Sequence, residues 1–308
     1  MCFLNEKCVL HLNGQFLTVR NLPMVVRTRF APSPTGRLHF GHVLAAQVAH
    51  SLARDSDGVF LLRHEDIDGP RVRDEFYEAI EEDLEWLGLK WDGEPLRQTR
   101  RIPAYNLALS SLRDRHLVYP CFCSRREIQE EWTRIGAAPQ GPESPVYPGT
   151  CRQLTACERQ VKIESGIAYA WRLDSGAAIQ LTGPLTFQDL RLGQFSVNSK
   201  LLGDVVLARK DIGTAYHLAV VVDDAFQEIT HVTRGEDLLS STHVHRLLQA
   251  LFQLPEPLYL HHRLVLDDAG ERLAKRNDAL SIATLRKSGF TPAEVLAQVA
   301  AATATHFA

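Results

Sequence analysis

The sequence contains no run of about 18 consecutive apolar residues, the length that a membrane-spanning helix requires. Its first 23 residues lack an apolar core followed by a small-residue cleavage site, so they do not resemble a secretory signal. Methionine is scarce, and the second of the two, Met24, directly precedes the first predicted strand. We therefore predict a cytoplasmic protein without membrane association, in which residues 1–24 form an extension or loose tail.

Positive charge is not in excess. The formal net charge is −3 and the isoelectric point is about 6.5, which excludes a globally basic nucleic-acid-binding protein. A local basic face is still compatible with this balance, because net charge does not describe how charges are distributed. A chain of 308 residues that is 45% hydrophobic can bury a large core, in one domain with an insert or in two domains.

Cysteine is limited to six residues, and without a secretory signal their thiols are expected in a reducing compartment. Clustered thiols in that setting favour a metal site over disulfides. Cys121, Cys123 and Cys151 lie where the sequence becomes rich in proline and glycine, as in AAPQGPESPVYPG. Their spacing fits a tetrahedral structural Zn²⁺ site. The alternative is three free structural thiols that bind no metal.

Apolar periodicity predicts an α/β fold. The predicted order is strand, helix, strand, helix over residues 25–30, 41–54, 58–65 and 71–87. This order is typical of a parallel sheet covered by helices. The pattern stops in a segment of short, irregular strands and resumes with GDVVLAR at residues 203–209. A helix, a strand and two short helices follow, over residues 241–254, 258–266 and the last 30 or so positions.

We predict a doubly wound parallel sheet of the Rossmann type with a small insert. The wound domain is expected over residues 25–120 and 201–278, and the insert over residues 121–200. A short helical tail is expected over residues 279–308.

The stretch RFAPSPTGRLHFGH, which ends at His42, has the composition of a nucleotide-binding turn. A helix that begins after a glycine turn presents unpaired backbone N–H groups and the positive end of a dipole, and so attracts phosphate. Gly36 and Gly41 would let a nucleotide approach the backbone, and His39 and His42 would reach its phosphates. The same spacing also fits a metal-binding histidine pair or two structural histidines at a helix start.

The turn resembles the His-x-Gly-His signature of class I aminoacyl-tRNA synthetases, in the form that their glutamyl branch uses. Four further motifs of that branch occur here in the same order: RHEDIDGPR, LGLKWDG, AYHLAVVVDD and THVTRGEDLL. The segment RLAKRND, at 272–278, stands in the place of the second signature, Lys-Met-Ser-Lys-Ser. The resemblance therefore covers about residues 25–278.

The resemblance implies the class I synthetase catalytic fold and activation of L-glutamate with ATP and Mg²⁺. Long members of the branch continue into a large helical domain that reads the anticodon, whereas only about 30 residues follow residue 278 here. This length is similar to that of the short members, which transfer glutamate to the queuosine base of tRNA(Asp), and we expect a monomer. Charging of a tRNA 3′ end and a catalytically silent tRNA- or zinc-binding module are the alternatives.

The resemblance also implies roles for individual residues. His39, His42 and Lys275 would be catalytic. The glutamate site would contain Arg29, Phe30, Ala31, Pro32, Ser33, Glu65, Tyr216 and Arg234, and the ATP site Gly36, His39, Gly41, His42 and Lys275. The fork-shaped guanidinium of arginine suits a carboxylate, and Glu65 would pair with the α-ammonium unless it serves only as a partner of Arg63 or His64.

Two features of the motifs depart from the family or leave a choice open. Ala274 stands where the second signature usually has serine, and Arg272 where lysine is common.

In the insert, the resemblance implies zinc ligands Cys121, Cys123, Tyr147 and Cys151. Cys157 is an alternative fourth ligand, which we rank below Tyr147. Four arginines of the insert, Arg125, Arg126, Arg152 and Arg159, form either a surface for tRNA or an ordinary solvated face.

Overall fold

The computed structural model describes most of the chain from residue 25 onward. The described residues are 9–12, 15–18, 25–124, 126–128, 130, 147–198, 201, 203–210, 213–265 and 281–304. Helices α1 to α9 span Phe40–Arg54, Asp74–Trp86, Ile102–Asp114, Ala156–Glu164, Ser175–Thr182, Tyr216–Phe226, Leu239–Leu251, Ile282–Lys287 and Pro292–Ala304. Strands β1 to β13 span Val9–Leu12, Gln15–Thr18, Arg27–Phe30, Val59–His64, Leu96–Arg97, Val118–Cys121, Ala170–Leu173, Thr186–Asp189, Gly193–Ser196, Val206–Arg209, Gly213–Thr214, His231–Gly235 and Leu258–His262.

The centre of the fold is a parallel sheet, as the sequence predicted. Strands β3, β4 and β5 pair in parallel in that order, and β12, β13 and β8 form a second parallel group. The two groups meet where the backbone N–H of Thr230, just before β12, donates to the Arg27 carbonyl at 3.0 Å. From this meeting point the chain proceeds outward from β3 to β4 on one side and from β12 to β13 on the other. Ligands of wound α/β sheets bind at such a switch point, in the crevice beyond the carboxyl ends of the strands.

A separate antiparallel sheet carries much of the predicted insert. Its strand order is β11, β10, β7, β6. Strand β10 lies in GDVVLAR, so the expectation that this segment resumes the wound sheet was wrong. Conversely, β8 lies within the predicted insert but pairs with β13 of the parallel sheet. A short apolar strand does not reveal its partner, because pairing depends on residues far away in the sequence.

The segment before residue 25 is not a featureless tail. Strands β1 and β2 pair in antiparallel register, with Val9 opposite Thr18 and Leu12 opposite Gln15. The prediction of a loose tail over residues 1–24 was therefore wrong where β1 and β2 lie. Among the described residues, no helix combines the length and apolarity needed to cross a bilayer.

Helix α1 covers the parallel sheet because its apolar residues recur at helical spacing. Val43, Leu44, Ala46, Ala49 and Ala53 are all buried, in one cluster with core residues of β3 and β4. Three alanines in this stripe let the helix lie close to the strands. This packing fixes the start of α1 directly beyond the carboxyl end of β3.

Helix α2 carries a buried carboxyl group, Asp83, which is only 1% exposed. None of the described residues forms a hydrogen bond with its Oδ2 atom. Burial raises the pKa of Asp83 to about 6 from its ordinary value of 3.8, although Arg286 and Arg37 act in the opposite direction. The folded state therefore holds a proton that the unfolded chain has already released between pH 4 and pH 6, so Asp83 lowers stability as the pH rises through this range.

We predict that Asp83→Asn stabilises the protein at pH 8 by about 1–3 kcal/mol, because the amide carries no charge to bury. The gain should shrink toward pH 4.5, where the folded wild-type carboxyl is protonated. Urea unfolding at both pH values measures the difference, with Glu85→Gln at an exposed position of the same helix as control. A gain that does not change with pH would contradict the assigned burial.

Candidate active site

The turn between β3 and α1 is held by the carbonyl groups of its prolines. The Pro32 carbonyl accepts a hydrogen bond from the Glu65 N–H at 3.0 Å, at the end of β4. The Pro34 carbonyl accepts from the Arg73 N–H at 3.1 Å, just before α2. Proline has no N–H of its own and a fixed φ, so the turn is stiff and still anchored at two points.

His39 and His42 cap the first turn of α1 reciprocally. His39 Nδ1 accepts from the Gly41 N–H at 3.2 Å, and His42 Nδ1 accepts from the His39 N–H at 3.4 Å. Their rings lie 3.9 Å apart, centre to centre. A Cβ atom at Gly41 would lie 3.2 Å from the His39 ring, so the ring would have to shift by a few tenths of an ångström to admit it. At Gly36 a Cβ would meet no atom of the described residues within 4 Å, so they impose no such packing constraint there.

The carboxyl ends of β3 and β4 meet in a buried ionic cluster around Asp224 of α6. Arg29 Nε donates to Asp224 Oδ1 at 2.9 Å, and Arg63 Nη2 donates to the same oxygen at 2.8 Å. Burial opposes ionisation of Asp224, but the two guanidinium groups outweigh it and lower the pKa of this carboxyl. Arg29 also donates from Nη1 to the Thr233 carbonyl at 2.8 Å, which ties β3 to β12.

Glu65 stands beside this cluster, at the end of β4. Its Oε1 lies 3.6 Å from Arg63 Nη2, while His64 contacts Glu81 instead, at 2.9 Å. Burial raises the pKa of Glu65, and Arg63 and Arg29 only partly offset that effect. A further cation beside Glu65 would stabilise its ionised form. The α-ammonium group that the resemblance implies as its partner would be such a cation.

Arg234 of β12 is also buried, at 5% exposure, but its surroundings differ from those of Arg29. Both terminal nitrogens donate to His245 Nδ1, at 3.1 and 3.0 Å, and Nη2 also donates to the Tyr216 hydroxyl at 3.2 Å. Its Nε atom is buried and has no hydrogen-bond partner in the described part of the chain. The next residue is Gly235, where a Cβ would lie 2.1 Å from Asp237 Oδ1 and would require that side chain to move.

The other predicted site residues are placed as follows. Phe30 packs its ring into the core, and Ser33 is exposed. Lys275 falls in residues 266–280, outside the described part of the chain. Ser281, the next described residue, forms a β-bridge with His39 at the start of α1.

The predicted zinc ligands of the insert come together. The Sγ atoms of Cys121, Cys123 and Cys151 all lie within 4.8 Å of one another. The Tyr147 hydroxyl lies 3.4 Å from Cys123 Sγ and accepts from the Cys151 N–H at 2.8 Å. Cys157 is exposed.

The predicted basic surface of the insert is largely engaged in local contacts. Arg152 pairs with Asp204 at 2.9 Å, and Arg126 with Glu130 at 3.4 Å. Arg159 donates to the Arg152 carbonyl at 2.7 Å. Arg125 lies outside the described residues.

The family of this fold follows from comparison with known proteins. The model of class I tRNA synthetases (E and Q), catalytic domain, matches residues 25–306. The chain belongs to this family of synthetases. The resemblance found in the motifs and the prediction of an α/β fold with a parallel sheet are therefore confirmed.

Individual relatives of this synthetase differ in how much of their length it matches. It is 47% identical to the glutamyl-Q tRNA(Asp) synthetase of Rhodobacter capsulatus over 274 residues, 87% of this chain and 97% of the relative. It is 37% identical to the glutamate–tRNA ligase of Aquifex aeolicus, over 87% of this chain and 55% of the ligase. A crystal structure of a glutamate tRNA ligase from Elizabethkingia meningosepticum with its amino acid superposes with a TM-score of 0.75. That ligase is 30% identical, and the match covers 89% of this chain and 60% of the ligase.

Sequence reasoning missed three residues of this synthetase site. Asp224 ends the motif AYHLAVVVDD and was not assigned a role, although an acidic pair at the end of an apolar helix needs a cationic partner. Arg63 shares a strand face with Glu65 by the two-residue period and was treated only as its alternative partner. His245 carried no signal, since a histidine within an apolar helix is usually a packed core residue.

We predict that Asp224→Asn destabilises the synthetase by about 3–5 kcal/mol, because it leaves two buried guanidinium groups without their shared anion. Urea unfolding measures this loss. The control is Glu228→Gln, which removes an exposed carboxylate 3.7 Å from Arg27 and should cost about 1 kcal/mol or less. Equal losses for the two variants would contradict the role given to Asp224.

Proposed function

We propose that this synthetase activates L-glutamate as glutamyl-adenylate and transfers the glutamyl group to the queuosine base of tRNA(Asp). The observation that carries the proposal is the 47% identity to a glutamyl-Q tRNA(Asp) synthetase along 97% of that relative. The site supports the glutamate half of the proposal, because Arg29, Arg63 and Arg234 gather at one crevice with Glu65 among them.

Charging of a tRNA 3′ end is the second candidate function. It is favoured by the match to glutamate–tRNA ligases, whose catalytic part superposes on this chain with a TM-score of 0.75. Both candidates share the first reaction, formation of glutamyl-adenylate, and differ only in the nucleophile that accepts the glutamyl group.

In the first step an oxygen of the glutamate α-carboxylate attacks the α-phosphorus of ATP. The bond from this phosphorus to the bridging oxygen breaks, and pyrophosphate leaves with the electron pair. A carboxylate needs no general base, so the enzyme contributes mainly by positioning and by charge stabilisation. The start of α1, with its N–H groups and its two capping histidines, would hold the phosphates. When bound together with ATP, Mg²⁺ would supply positive charge that offsets the charge of the phosphates.

In the second step a nucleophile of the queuosine base attacks the activated carbonyl carbon, and AMP leaves. Glu65 would hold the α-ammonium group through both steps, and Arg234 with Arg29 would hold the carboxylates. The stiff turn beyond β3 keeps glutamate and the phosphates in register, because Pro32 ties it to the end of the strand that carries Glu65.

We predict that Lys275→Ala slows glutamyl-adenylate formation by about 100-fold or more but changes the affinity for glutamate by less than about threefold. The reason is that a lysine beside the leaving pyrophosphate acts on charge that develops in the transition state. Single-turnover adenylate formation and glutamate titration measure the two quantities. An equal loss in both would show that the lysine only contributes to binding.

We also propose that the insert binds one structural Zn²⁺ through Cys121, Cys123, Cys151 and Tyr147. Three thiols within 4.8 Å and a phenol 3.4 Å from one of them suit a tetrahedral ion. The exposed Cys157 is the weaker candidate. When bound, the ion would link the end of β6 to the segment around Cys151.

We expect one Zn²⁺ per chain after gentle purification, and a melting temperature lowered by several degrees once a chelator removes it. Elemental analysis and thermal unfolding test this. Cys157→Ser is the matched control and should keep full zinc content, whereas Cys151→Ser should lose it. Absence of zinc from the untreated protein would remove the proposed role of the insert.

The function is tested by transfer of labelled glutamate to tRNA(Asp) with and without queuosine. Label on the queuosine-bearing tRNA alone is the expected result. A 3′-esterified tRNA(Glu) would favour the second candidate. No glutamate-dependent exchange of pyrophosphate into ATP would exclude both.

A further inference from the structure

The arginines of the crevice fall into two electrostatic classes. Arg29 and Arg63 share a counter-ion, the carboxylate of Asp224, at 2.9 and 2.8 Å, and Glu65 lies 3.6 Å from Arg63. Arg234 has no Asp or Glu oxygen within 4.0 Å among the described residues. Its hydrogen-bond acceptors there are Thr242 Oγ1, the Tyr216 hydroxyl and His245 Nδ1, all of which are uncharged or can be uncharged. A buried guanidinium without a counter-ion is costly, so its retention points to an anionic ligand.

The hydrogen bonds define the protonation state of His245. A guanidinium group can only donate, so His245 Nδ1 must accept and the ring proton must be on Nε2. That proton points to His217 Nδ1, 3.1 Å away on α6. Burial, together with the charge of Arg234, keeps the pKa of His245 well below its usual range. His245 is therefore a neutral acceptor that receives both terminal nitrogens of Arg234.

A second neutral chain supports the same guanidinium. Arg234 Nη1 lies 3.3 Å from Thr242 Oγ1, which lies 2.8 Å from His261 Nε2. His261 Nδ1 in turn lies 2.7 Å from Asp189. The nearest carboxylate on this path is thus separated from Arg234 by a hydroxyl and an imidazole, so it orients the acceptors without neutralising the arginine.

We propose that His245 is a positioning residue that holds Arg234 through a neutral imidazole and thereby keeps its positive charge available for a carboxylate of glutamate. The inference rests on the proposed function, since it takes glutamate as the ligand. On this proposal, Arg234 binds the substrate carboxylate because His245, the residue that orients it, carries no charge. A carboxylate in place of His245 would orient Arg234 equally well and yet compete with the substrate.

A matched pair of variants separates charge from shape. In His245→Asn and His245→Asp a side-chain oxygen replaces Nδ1 at the same reach, and both variants lose the contact to His217 equally. The Asn variant keeps a neutral acceptor, and the Asp variant adds a counter-ion. His245→Leu removes the acceptor altogether.

We expect the KM for glutamate in ATP–pyrophosphate exchange to stay within about fivefold of wild type in the Asn variant. It should rise by about 30-fold or more in the Asp variant, with kcat changed by less than about threefold. The Asp variant should nevertheless melt at a higher temperature than the Asn variant, because it supplies a buried cation with its anion. The Leu variant should lose both stability and glutamate affinity.

A second readout needs neither ATP nor RNA. Glutamate should raise the melting temperature of the wild type and the Asn variant, compared with potassium chloride at equal ionic strength, and should not raise that of the Asp variant. If the wild type does not respond, Arg234 is not a glutamate-binding cation, and the proposed function fails with the inference. If the wild type responds and the Asp and Asn variants bind glutamate equally, the inference alone is overturned.

Discussion

The pairing of one carboxylate with two arginines, Asp224 with Arg29 and Arg63, is the interaction on which the crevice depends. These side chains come from three elements, β3, β4 and α6, and all three are buried. Their charges could not be placed together at the carboxyl edge of a sheet without a shared counter-ion. Because the cluster holds the ends of β3 and β4 beside β12, it also sets the separation between Glu65 and Arg234.

The two proposed functions of the crevice, phosphate binding and glutamate binding, belong to neighbouring segments of backbone. The turn after β3 leads into α1, whose N-terminal N–H groups suit phosphate, while the strand ends carry the groups that suit an amino acid with two carboxylates. Pro32 connects these halves, since its carbonyl accepts from the Glu65 N–H at 3.0 Å. Such a stiff connection favours reaction between two bound substrates, because the entropy of aligning their binding groups is already lost when the protein folds.

Much of this arrangement was accessible from the sequence. The predicted bounds of helix α1 and strand β4 each lie within one residue of the observed ones, because their apolar periodicity is strong and local. The turn and Arg234 were singled out because they lie in long, ordered motifs, and the thiols of the insert because they are clustered in the sequence; their roles remain predictions. Strand β10 was misassigned because four apolar residues cannot specify a partner strand. Asp224 was missed for a related reason, since its partner Arg63 lies 161 positions away in the sequence. His245 was missed because a histidine within an apolar helix is usually a packed core residue.

The structure of the protein with a non-hydrolysable glutamyl-adenylate analogue tests the central claim most directly. The account predicts the adenylate phosphate at the start of α1, beside His39 and His42, and a carboxylate of the glutamyl group on Arg234. The α-ammonium group should face Glu65. An analogue that binds elsewhere, or that leaves Arg234 with only His245, Thr242 and Tyr216 as partners, would contradict it.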